Sequence, residues 1–247
     1  MKNKPNNKKG GITEEKCRNS LFNFLYNKIK EDKSFINELQ KKEISIFIGR
    51  EVPVPYRHIY SIVDNLLNLE IMCFDQDIAF FDFFKVSEKK LNEIEIKIIS
   101  NRNLSKKNIK SINGPENKKI SADSKFLVFP YVTIEAKMRK KDKKKDEPTT
   151  DSILATSKKV ELIKSIFPHC KLMLLIFLPK NLEIPQRVYR CGKPFFDEIL
   201  GLEFSDENDK IKFEEDGEKG INAIKYKIEK LIEESINDLQ NLNKKGV

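Results

Sequence analysis

In this 247-residue chain, Glu135, Ala136 and Lys137 set a carboxylate and an ammonium two residues apart at the end of an apolar stretch. Hydrophobic and polar residues alternate from Tyr131 to Lys137, so the segment reads as a strand. Val132, Ile134 and Ala136 fall on one face, and Thr133, Glu135 and Lys137 on the other. A charged pair on a buried strand is costly unless something uses it. A carboxylate that holds a divalent cation, beside a lysine that handles a water, is the chemistry this pair suits. Acid-x-Lys triplets arise often by chance in a chain with 38 Asp and Glu and 47 Lys and Arg, so the surroundings carry the signal.

Downstream, Arg139 to Asp146 is a charge run that a core cannot hold, hence an exposed loop. Thr149, Thr150 and Asp151 offer helix caps, and Ile153, Leu154, Val160, Ile163 and Ile166 supply a buried helical face. The apolar run Leu172 to Leu178 predicts a fully covered strand, parallel to the first. Upstream, Asp75 and Asp77 share a strand face, with Asp77 leading into Ile78, Ala79, Phe80 and Phe81, and Asp82 falls on the opposite face.

This order of apolar strand, basic loop, amphipathic helix and apolar strand, with Glu135-Ala136-Lys137 on the first strand, resembles the core of the PD-(D/E)xK nuclease superfamily over roughly residues 70 to 180. The resemblance implies an α/β fold with a restriction-endonuclease-like core: a mixed central sheet flanked by helices, with further helices at the N- and C-termini. It implies Mg2+, with Mn2+ as a substitute, held by Asp77 and Glu135, while Lys137 positions or deprotonates a water. Gln76 stands where the family usually has a proline before the aspartate, and Asp123 is the alternative metal aspartate. An acidic residue of the first helix, Glu14 or Glu15, would assist. The implied activity is hydrolysis of DNA phosphodiester bonds by an endonuclease of the type II restriction kind, for which a homodimer is a common form.

The charge distribution points the same way. The chain carries +9 in total, yet between Arg102 and Lys145 fourteen Lys and Arg stand against four acids, so the whole excess flanks the Glu135 strand. Double-stranded DNA is the simplest partner. Lys106, Lys107 and Lys110 before the strand, and Arg139, Lys140, Lys141, Lys143 and Lys144 after it, are the expected phosphate contacts. The alternative is a nucleic-acid-binding protein that keeps the α/β core without cleaving. A third reading is an interaction protein built around its C-terminal helix.

Residues 1 to 11 read as a disordered basic tail, and residues 12 to 247 as a single domain. Thr13, Glu14 and Glu15 predict a helix start, with an apolar face from Leu21 to Leu39. Glu43 to Gly49 predicts a strand, Val52 to Pro55 an extended crossing, Tyr56 to Leu69 a helix, and Ile94, Ile96 and Ile98 a strand. Asn101 to Ser124 reads as a polar, basic loop or a small substructure. One short helix is expected around Phe195, Phe196, Ile199 and Leu200, and a long one over about 220 to 244. The four scattered cysteines and two histidines have no zinc-site spacing. The longest apolar run is far too short to span a bilayer and no signal peptide is visible, so a cytoplasmic protein with free thiols is expected.

Overall fold

The computed structural model describes residues 13–63, 66–85, 94–99, 108–114, 126–141, 146–207 and 210–244. Two helices open the chain, α1 (Glu14–Glu31) and α2 (Lys33–Lys41). The Thr13 hydroxyl caps α1 by accepting from the Lys16 N–H at 3.2 Å, and Asp32 caps α2 by accepting from the Phe35 N–H at 3.2 Å. Strands β1 (Phe47–Val63), β2 (Leu66–Lys85), β3 (Ile94–Ile99), β4 (Ile109–Ser111) and β5 (Phe126–Met138) follow. The short β6 (Lys140–Lys141) and β7 (Asp146–Glu147) pair with each other before α3 (Thr150–Ile166), β8 (Lys171–Pro179) and α4 (Gln186–Gly192). The chain ends through β9 (Glu198–Glu207), β10 (Lys210–Phe213) and α5 (Ile221–Lys244).

Among the described residues, eight strands form one mixed sheet in the order β10-β9-β8-β5-β2-β1-β4, with β3 paired to β2. The fold is therefore α/β. β1, β2 and β5 run antiparallel in succession, whereas β5, β8 and β9 run parallel. The parallel β5–β8 pair, joined through α3, is the arrangement the apolar run Leu172 to Leu178 predicts.

Helices cover both faces. On one, Leu21, Phe22 and Leu25 of α1, Leu39 of α2 and Ile224, Ile228 and Ile232 of α5 pack on Ile78, Phe80, Ile134, Ala136, Met173 and Leu175. The terminal stripe thus packs on this chain's own sheet. On the other, Ile153, Val160 and Ile163 of α3 and Val188 of α4 pack on Ala79, Phe81, Leu174 and Ile176. Leu174 sits mid-strand with no exposure. Leu174→Ala is expected to cost about 2–5 kcal/mol in a urea unfolding titration, and a loss near zero would contradict this packing.

Two sequence expectations are corrected. Tyr56 to Val63 belong to β1 and Leu66 to Leu69 to β2, paired antiparallel with Val63 opposite Leu66, and these residues form no helix. Its apolar residues fit both the 3.6 and the 2 period, and its β-branched and aromatic content favours strand once β2 is there to pair with. Pro53 and Pro55 are tolerated because, among the described residues, β1 meets β4 only over Phe47 to Gly49, which leaves the proline segment without a ladder on that side. Likewise, Ile199 and Leu200 belong to β9, beside β8, and the short helix lies upstream at α4. Among the described residues no helix is long and apolar enough to cross a membrane. All four cysteines are free thiols.

Candidate metal and phosphate site

Among the described residues β2 meets three neighbours. Along one edge it pairs with β1. Along the other it pairs with β3 over Leu67 to Met72 and with β5 over Ile78 to Lys85. Cys73 to Asp77 lie between those two ladders, so the sheet has a notch there, and Asp77 stands at its β5 rim. β5 itself runs on beside β8 past Lys137, so among the described residues no strand pairs with its β2-facing edge from Glu135 onward.

Carboxylates close this edge. Asp77 Oδ2 accepts the Ala136 N–H at 2.8 Å, and Glu14 Oε2, reaching over from α1, accepts the Met138 N–H at 2.9 Å. Each replaces a ladder bond that a strand would have made, and buried amides need such partners. The second oxygen of Asp77, Oδ1, accepts from Arg18 Nη1, one helical turn after Glu14 on α1. Facing Asp77 in the β1 register, Glu51 takes a left-handed φ of 51°, a conformation uncommon for a residue with a Cβ.

Glu135 is the buried member of the group, 5% exposed. Its Oε2 lies 3.6 Å from Lys137 Nζ, and its Oε1 is buried with no hydrogen-bond partner among the described residues. Burial, and after it the charge of Asp77, pushes the Glu135 carboxyl up to about 7, against the opposing pull of Lys137 and Lys159. Lys159 comes from α3, with its ammonium 5.6 Å above the Phe74 ring.

Among the described residues no three of His, Cys, Asp and Glu gather as a ready metal cage. The donor set is instead two carboxylates, one with an orphaned buried oxygen, in mutual electrostatic contact. That fits a hard dication such as Mg2+, which keeps several waters and takes one or two protein carboxylates plus phosphate oxygens.

Asp77, Glu135 and Lys137, singled out in the sequence, therefore come together at the notch. Asp123 lies outside the described residues, as do Lys106, Lys107, Lys143 and Lys144; of Lys141 only the backbone, in β6, is described. The remaining expected phosphate contacts differ in placement. Lys140 is exposed, 4.0 Å from Glu147. Lys110 is docked on α1, donating to Asn23 Oδ1 at 3.0 Å and lying 4.5 Å from the Tyr26 ring centroid. Arg139 is a correction to the expected set of exposed cations: it is 7% exposed, and its Nη1 donates to the Glu147 carbonyl at 3.2 Å. A buried guanidinium used to hold the β7 backbone at Glu147 is not on the surface that meets a polyanion.

Arg18 and Lys159 are the members that sequence reasoning missed. The i,i+4 spacing of Glu14 and Arg18 puts both on one side of α1, but nothing in that spacing says which strand the side faces. No family model matches this chain, and no curated protein shows significant similarity to it.

Proposed function

We propose that the protein is a Mg2+-dependent DNA endonuclease with a restriction-endonuclease-like core, of the type II restriction kind. The observation that carries this reading is the convergence of Asp77 and buried Glu135, with Lys137 alongside, where β2 and β5 part. Support also comes from the strand-helix-strand unit β5–α3–β8, and from the basic excess that flanks β5 in sequence.

Asp77 Oδ1, whose partner is a side chain able to move away, and the orphaned Glu135 Oε1 are the oxygens that would hold the dication. When bound, Mg2+ supplies Lewis-acid polarisation of a phosphodiester and lowers the pKa of a water. Lys137, with its side chain 25% exposed, is placed to leave Glu135 for that water, orienting it as the ammonium or, as the neutral amine, accepting its proton, or for a phosphate oxygen. The burial of Glu135 keeps bulk water off its carboxylate, which strengthens every charge interaction around it. Exposed lysines such as Lys140 would add salt-sensitive affinity for the DNA backbone.

A non-catalytic nucleic-acid-binding protein is the second reading, favoured by one observation: Asp77 has a charge partner in Arg18 of this same chain. Incubating supercoiled and bacteriophage DNA with the full chain separates the two. Discrete fragments with Mg2+ or Mn2+ and none with EDTA are expected. Intact DNA under every metal condition, with salt-dependent binding retained, would leave the second reading standing.

A further inference from the structure

We propose that Arg18 is a cation stand-in: it holds Asp77 until it yields that place to a divalent cation, and its freed guanidinium then receives a phosphate oxygen of the substrate. This rests on the metal-site reading above. The argument starts from the two oxygens of Asp77. Each Asp77 oxygen accepts one donor, but the donor on Oδ2 is a fixed backbone amide of β5 and the donor on Oδ1 is the Arg18 side chain, so Oδ1 is the oxygen that can be vacated for a cation shared with Glu135. A guanidinium and a dication cannot both sit close to that oxygen without strong repulsion, so the monovalent, mobile group is the one to leave.

The surroundings permit that exchange. α1 is anchored by the Thr13 cap and by buried Cys17, Leu21 and Phe22, which keeps the Arg18 backbone in place while its side chain turns. The Arg18 side chain is 26% exposed and that of Asp77 13%, so the pair lies at the rim, with solvent on the arginine side. A pocket at this rim is lined by Glu15, Arg18, Asn19, Arg50, Glu51 and Asp77. Arg50 is fixed in it, with Nη2 donating to Asn108 Oδ1 at 3.1 Å and its guanidinium 5.7 Å over the Phe22 ring. A released Arg18 beside Arg50 would present two planar forks suited to phosphate oxygens. Metal binding then primes substrate capture, and by linkage the bound phosphate favours the metal-loaded state.

The test uses the full chain carrying Lys137→Ala, so that DNA is not consumed, with Arg18 intact, Arg18→Gln or Arg18→Ala. Gln retains a donor for Asp77 Oδ1 without the charge, which protects the comparison if the alanine variant folds poorly. Two quantities are read: Mn2+ affinity by calorimetry, and affinity for a short DNA duplex by fluorescence anisotropy with and without Mn2+. Both Arg18 variants are expected to bind Mn2+ roughly tenfold tighter, and to bind duplex roughly tenfold more weakly when Mn2+ is present. Without metal, duplex affinity should hardly change. If the parent binds Mn2+ and the variants bind it equally or less well, Arg18 is a structural strut and the proposal is wrong. A loss of duplex affinity that is the same with and without metal also overturns it, since Arg18 would then add only charge. No Mn2+ binding by any of the chains would overturn the metal-site reading and this proposal together.

Discussion

Lys137→Ala should slow DNA cleavage by about a thousandfold, within the span attributed to a single positioned proton-transfer group, while the fold and duplex binding survive. Lys137 lies at the C-terminal part of β5, its side chain is one quarter exposed, and it belongs to neither buried apolar cluster, so truncating it removes no core side chain. Its ammonium stands 3.6 Å from Glu135 Oε2, where it pulls the Glu135 carboxyl down against burial. Removing it therefore has a second signature. The Glu135 carboxyl rises further, so the pH at which Mn2+ binding sets in should move up, while at high pH, where the carboxylate forms anyway, loss of a neighbouring cation leaves Mn2+ affinity no weaker than in the intact protein. Lys137→Arg separates two roles, because a guanidinium keeps the charge but does not give up a proton at neutral pH. Partial recovery of cleavage by arginine would mean that charge is what counts, and none would mean proton transfer. Cleavage by Lys137→Ala within tenfold of the intact protein would remove Lys137 from the chemistry.

Glu135→Gln should raise metal-free stability at pH 8 by on the order of 3 kcal/mol while abolishing cleavage and metal binding. The folded protein holds the Glu135 carboxyl at about 7, against an ordinary 4.5. Below pH 4.5 the group is protonated whether the chain is folded or not, and it costs nothing. Between 4.5 and about 7 the folded protein binds more protons than the unfolded chain, so stability declines as pH rises. Above about 7 the full penalty of an ionised, desolvated carboxylate applies, and glutamine removes it. Urea titrations of both proteins at pH 4 and pH 8 check this: the curves should coincide at the acid end and separate at the alkaline end. Adding Mg2+ at pH 8 should raise the melting temperature of the intact protein and leave that of Glu135→Gln unmoved. A glutamine variant less stable than the parent at pH 8 would mean that Glu135 is a structural ion-pair partner. Gain of stability on losing a group is the behaviour expected where a site is kept under strain for its chemistry.

Much of the site was legible before any tertiary information. Alternation along Tyr131 to Lys137 places Glu135 and Lys137 on the face opposite Val132, Ile134 and Ala136, and the register of β5 agrees. The unbroken apolar run Leu172 to Leu178 reads as a strand covered on both faces, since only such a strand has no polar side to show. Thr13 and Thr149 mark helix starts because their hydroxyls satisfy amides that the helix leaves free. Those features depend on neighbours in sequence, and local chemistry carries them.

Other features depend on partners far away in the chain. Tyr56 to Leu69 fits two periods, and only pairing with β2 selects the strand. Ile199 and Leu200 read as helical until β8 provides an edge for them. Asp77 stands 58 residues before Glu135, and whether it reaches the same place depends on where the β2–β5 ladder stops, a matter of register that no local pattern encodes. Arg18 and Glu14 are ordinary charges on a helix surface until α1 packs across the sheet and aims them at the edge of β5 beyond the β2 ladder. Sequence alone specified the chemical groups and the local elements that carry them. Long-range packing specified which groups meet, and how far Glu135 is taken from water, because desolvation and charge coupling exist only once distant segments have closed around it.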